Sequence, residues 1–65
     1  MTIECTVARG FNMHTLAREA QMDVRVEYLG PSPKGDRYWN LYTDDIWVDD
    51  LTHILDNRQI EWRLI

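Results

Sequence analysis

The chain has 65 residues, 45% of them hydrophobic, with a formal net charge of −4 and one cysteine. That length allows one domain built around one core, near the lower limit for independent folding. A lone cysteine excludes an internal disulfide, and the acidic balance disfavours direct nucleic-acid binding, which needs clustered positive charge.

No stretch approaches the roughly 20 apolar residues of a membrane span, and the start MTIECTVARGF lacks the basic and apolar regions of a secretory signal. A reduced, cytoplasmic setting is therefore expected, with no membrane association.

In chain order, residues 2 to 8 alternate, with Ile3, Cys5 and Val7 on one face and Thr2, Glu4 and Thr6 on the other, the period of a half-buried strand. Asn12 then reads as an N-cap, and Met13, Leu16, Ala17 and Ala20 follow at helical spacing, with His14, Arg18 and Gln21 facing water. From 23 to 29, Val24, Val26 and Tyr28 alternate with Arg25 and Glu27, a second strand that ends at Gly30-Pro31. Across the loop 30–36, residues 37 to 43 place Trp39 and Leu41 opposite Tyr38, Asn40 and Tyr42, which predicts an antiparallel hairpin.

Residues 44 to 57 admit two readings. Trp47 or Val48 with Leu51, Ile54 and Leu55 forms a helical stripe, yet Ile46-Trp47-Val48 between aspartate pairs also suits a short strand continuing the hairpin. The helix is expected from 50 to 56, with Asp49 or Asp50 capping its start. Ile60, Trp62 and Leu64 then alternate with Glu61 and Arg63 in a last strand.

The expected fold is α+β: a small antiparallel or mixed sheet of three to four strands with one or two short helices on one face, a reduced ferredoxin-like arrangement. Its predicted core is Ile3, Cys5, Val7, Leu16, Ala20, Val24, Val26, Leu51, Ile54, Leu55 and Trp62.

No catalytic, cofactor or metal motif emerges. His14 and His53 lack the spacing of a zinc helix, and Cys5 on an apolar strand face reads as core. The aspartate pairs lack the glycine and closing glutamate of a calcium loop, and the three glycines match no phosphate-binding spacing. Asp49 and His53, at i and i+4, are within reach of each other on a helix, but no nucleophile or oxyanion group accompanies them, so a small hydrolase ranks last.

Charge segregation is the informative signal. Between Arg37 and Arg58 lie Asp44, Asp45, Asp49, Asp50 and Asp56 and no lysine or arginine, while the remaining charges nearly cancel. Such a block is either a solvated face that also caps a helix, or an oriented negative surface for a basic partner. On the second reading these five aspartates contact the partner, with Trp47 as an aromatic anchor beside them.

The run TIECTVARGFNMHTLAREA followed by YWNLYTDDIWVDDLTHIL resembles the small phage-encoded anti-CRISPR proteins, in particular inhibitors of type I-C systems. The resemblance implies a non-enzymatic protein that binds a component of the Cascade surveillance complex and prevents recruitment of target DNA, in several cases by imitating DNA charge. That family shares no motif, so no residue role is carried over from it. A monomeric inhibitor in the host cytoplasm is the expectation. The alternative is a small structural or assembly module that pairs through an exposed sheet edge and dimerises.

Overall fold

The computed structural model describes residues 1–65. In order come β1 (Thr2–Val7), α1 (Met13–Glu19), β2 (Val24–Pro31), β3 (Arg37–Thr43), α2 (Val48–Asn57) and β4 (Glu61–Leu64), with a 3-10 turn, Asp45–Trp47, leading into α2. The strands form one antiparallel sheet in the order β2-β3-β1-β4, so the chain adopts the expected α+β class with the strand order of a ferredoxin-like split βαβ unit.

Strand register sorts the side chains into transverse rows. On the helix-covered face Val26, Leu41, Ile3 and Leu64 lie side by side across the sheet, and Tyr28, Trp39, Cys5 and Trp62 form the next row. The small Cys5 thus sits between two tryptophans, which lets the large rings flank a narrow position without a clash. Over these rows pack Met13 and Leu16 from α1 and Val48, Leu51 and Leu55 from α2, closing one apolar cluster.

The other face is polar and uncovered. Glu27, Asn40, Glu4 and Arg63 line up across it. The Tyr42 hydroxyl donates to Glu27 at 2.6 Å, Asn40 Nδ2 donates to the Tyr42 hydroxyl at 3.2 Å, and Arg63 Nε donates to Glu4 at 2.8 Å. These lateral bonds pair most of the polar groups on this face, although the buried Asn40 Oδ1 has no partner, and the row is polar, as on the solvated side of an antiparallel sheet.

Several boundaries differ from the sequence expectation. β2 includes Gly30 and Pro31 where the expected strand stopped at residue 29: a bulge between Tyr28 and Gly30 carries the strand on to pair Gly30 with Tyr38 and Pro31 with Arg37, and it ends there. Gly30 has φ 125°, which a side chain at that position would oppose, and Pro31 is tolerated because β2 is an edge strand that needs no donor there. The segment Ile46-Trp47-Val48 is not a strand; Asp45–Trp47 is a 3-10 turn and α2 begins at Val48 and runs to Asn57, longer than 50 to 56. The helical stripe is satisfied by Val48 rather than Trp47, which leaves Trp47 half-buried at the N-cap position.

The core also differs. Ile3, Cys5, Val7, Leu16, Leu51 and Leu55 are buried as expected, and Met13, Leu41, Val48 and Ile60 join them. Ala20, Val24, Val26, Ile54 and Trp62 are only half-buried. The reason is that α1 spans only 7 residues and leaves the β2 edge partly uncovered, while Ile54 and Trp62 lie on the flank of α2 and on the opposite edge strand.

Leu51 is fully buried and Ile54 is not, so the two are expected to differ on truncation. Leu51→Ala should cost about 2–5 kcal/mol, a large part of the stability of so small a domain, and Ile54→Ala roughly half as much or less. Urea unfolding followed by circular dichroism measures both, and equal losses would contradict this placement of α2.

Candidate protein-binding surface

The acidic segment is positioned by the way β3 ends. Met1 and Thr43 exchange backbone hydrogen bonds of 2.9 and 3.1 Å, and Thr43 Oγ1 donates to the Asp23 carbonyl at 3.2 Å. Thr43 is thereby buried and fixed between β1 and the start of β2. Asp44 stays extended with φ −72° and ψ 153°, and its carbonyl accepts the Trp47 N–H at 3.0 Å, closing the 3-10 turn that reverses the chain into α2.

Asp44, Asp45, Asp49 and Asp50 are all exposed around this corner. Asp49 and Asp50 occupy the first turn of α2, where their charge meets the positive end of the helix dipole. Neither makes the expected side-chain capping bond, because the helix starts before them and Trp47 holds the N-cap position. Leu51, Val48 and Leu55 define the buried side of α2; at 100° per residue Asp49, Asp50 and His53 point away from it, and Asp56 lies on a flank.

Asp56 stands apart from the other four. It follows Asp49 by seven residues, about 10 Å along the helix axis. Its Oδ1 accepts the Trp62 indole N–H at 2.7 Å, so this carboxylate also ties α2 to β4. The structure therefore gathers Asp44, Asp45, Asp49 and Asp50 at one end of the sheet and extends the negative charge along α2 to Asp56.

No lysine or arginine pairs with any of the five. The one cation within ion-pair distance of them is the Met1 ammonium, 3.9 Å from Asp45 Oδ1, whereas Arg58 pairs with Glu19 and Arg63 with Glu4. Two residues join this end that the charge block did not single out. Asp23 arrives through the Thr43 hydrogen bond, a contact between residues distant in the chain. Ile46 is 75% exposed in the 3-10 turn; the excess of three apolar residues at 46–48 over the one that the helical stripe needs was its only signal.

Other groups offer less. No three His, Cys, Asp or Glu side chains converge as a metal-holding cluster. A depression of about 480 Å³ beside the β1–β4 ladder is lined by Glu4, Thr6, Tyr38, Glu61, Trp62 and Arg63, and its Glu4 and Arg63 are already paired with each other. Burial pushes the Cys5 thiol up to about 12, with the Glu4 carboxylate acting in the same direction. Such a thiol is a poor nucleophile. No helix is long and apolar enough to cross a membrane.

No family model, curated protein or solved structure matches this chain.

Two measurements follow from the site's physics. Cys5 is expected to resist alkylation at pH 8 in the folded protein and to react at once in denaturant. Because its folded pKa lies above the reference value of 9.0, the thiol's contribution to stability is complete below pH 9 and is lost as pH rises toward about 12. Asp50→Lys places a cation at the positive end of α2 and should lower stability by about 0.3–1 kcal/mol in urea unfolding at low salt, a loss that shrinks as salt is added.

Proposed function

We propose that this protein is a non-enzymatic inhibitor that occupies a basic nucleic-acid-binding surface of a protein partner, and that the partner is a component of a type I-C Cascade. In this reading the protein acts as a monomer in the host cytoplasm, imitates the charge of DNA, and blocks recruitment of the target. It needs no cofactor and does not itself bind nucleic acid.

The observation that carries the reading is the run of exposed carboxylates from Asp44 through the first turn of α2, with no lysine or arginine paired to it. Charges held on a fixed turn and helix keep a constant spacing, as phosphates do along a strand, and an unneutralised field speeds encounter with a basic groove. A charge cluster serving solubility alone would gain nothing from excluding every lysine and arginine.

The assembly-module reading draws less support from the sheet edges. β2 is interrupted by its bulge and ends in Pro31, and β4 has only 4 residues. Both are features that blunt an edge against pairing.

DNA binding by purified type I-C Cascade, measured with and without the protein, tests the proposal. The original protein should suppress binding, and suppression should weaken as salt rises, because exposed charges are screened beyond about 8 Å at physiological ionic strength. The double variant Asp45→Lys/Asp49→Lys should lose inhibition while remaining folded. Glu61→Lys, on the far end of β4, should inhibit nearly as well as the original. Equal inhibition by the double variant would remove the acidic surface from the mechanism, and no inhibition by the original would remove the Cascade assignment.

A further inference from the structure

The end of the sheet that carries the four clustered aspartates also carries the chain's most exposed aliphatic side chains. Ile46 is 75% exposed, Ile65 67%, Met1 53% and Leu64 47%. Backbone pairing brings them to this end: Met1 exchanges hydrogen bonds with Thr43, the Ile65 N–H donates to the Thr2 carbonyl at 3.0 Å, and Leu64 lies opposite Ile3. Ile46 sits in the turn that follows Thr43.

The fold has no use for Ile46. Val48, Leu51 and Leu55 supply the buried side of α2, and a polar residue in the 3-10 turn would leave the core intact. Single exposed apolar side chains are ordinary on protein surfaces. Ile46 instead lies in the turn between Asp45 and the Asp49-Asp50 pair, so one exposed apolar side chain stands among four exposed carboxylates, the combination of apolar anchor and charged border found at protein contacts.

We propose that Ile46 is the apolar anchor of the acidic surface, and that the surface it meets is a protein face on which lysine and arginine side chains border an apolar pocket. Charge complementarity selects the basic border, and the branched aliphatic side chain selects the pocket. The inference rests on the acidic end being a competitor for a nucleic-acid-binding site, and deepens it. Phosphate charge is what the protein shares with nucleic acid; Ile46 adds a contact that a phosphate backbone does not make, so the inhibitor gains an advantage that salt does not screen.

Salt separates the two contributions. Exposed charge attraction falls as ionic strength rises, whereas apolar burial does not weaken with added salt. Affinity for purified type I-C Cascade is measured across a salt series for the original protein, Ile46→Ser, Ile46→Leu and Asp45→Lys/Asp49→Lys, with circular dichroism confirming that each is folded. Ile46→Ser should bind about tenfold more weakly at every salt concentration with an unchanged salt slope, and Ile46→Leu should bind like the original. The aspartate variant should instead flatten the slope. Binding by Ile46→Ser equal to the original, or a loss confined to low salt, overturns the anchor while leaving the charge-mimic reading in place. Failure of the original to bind Cascade overturns that reading and the anchor with it.

Discussion

Everything in this domain hangs on β1 being flanked on both sides, by β3 and by β4, in one register. The alternation of Ile3, Cys5 and Val7 with Thr2, Glu4 and Thr6 specifies that register, because a slip of one residue would bury Glu4 and expose the apolar set. The same pairing sets Thr43 beside Met1, and so determines where the chain leaves the sheet. The corner of aspartates is a downstream result: its location follows from the central strand, and its internal geometry from the 3-10 turn and the first turn of α2.

Placing like charges close together costs repulsion, and the fold offsets part of it. Asp49 and Asp50 lie at the positive end of α2, and the Met1 ammonium approaches Asp45. Neither compensation uses a long basic side chain that would reach out and neutralise the surface. The arrangement thus lowers the self-energy of the cluster from behind, through backbone dipoles and a chain terminus, while the outward field persists. Ion pairs elsewhere, Arg63 with Glu4 and Arg58 with Glu19, belong to the open face and to the link between the helices.

Much of this was legible in the sequence, and for identifiable reasons. Period-two alternation located β1, β3 and their faces, and Asn12 was recognisable as the cap of α1, where its side chain does accept the His14 N–H at 2.9 Å. The α+β class followed from element order. What local pattern could not supply was whatever depends on a neighbour. The continuation of β2 through Gly30 and Pro31 requires Tyr38 and Arg37 as partners. The half-burial of Val24 and Val26 requires knowing how short α1 is, and the choice between Trp47 and Val48 as the buried residue depends on the angle at which the 3-10 turn delivers α2. The five aspartates were visible as a block, but their separation into a cluster of four and an Asp56 engaged with Trp62, and the arrival of Asp23, are products of tertiary structure.

The exchange of hydrogen bonds between Met1 and Thr43, and the Ile65 N–H on the Thr2 carbonyl, put both chain ends at the acidic end of the sheet. Any polypeptide joined to either one, an affinity tag or a fluorescent fusion, therefore emerges at the margin of the acidic surface. A polyhistidine tag would lay fresh donors and partial positive charge beside Asp44 and Asp45. The loop 32–36 is the better place for a label. It projects from the opposite end of the β2–β3 hairpin and is held by its own Ser32 hydrogen bonds to Lys34 and Asp36 at 3.2 and 3.0 Å.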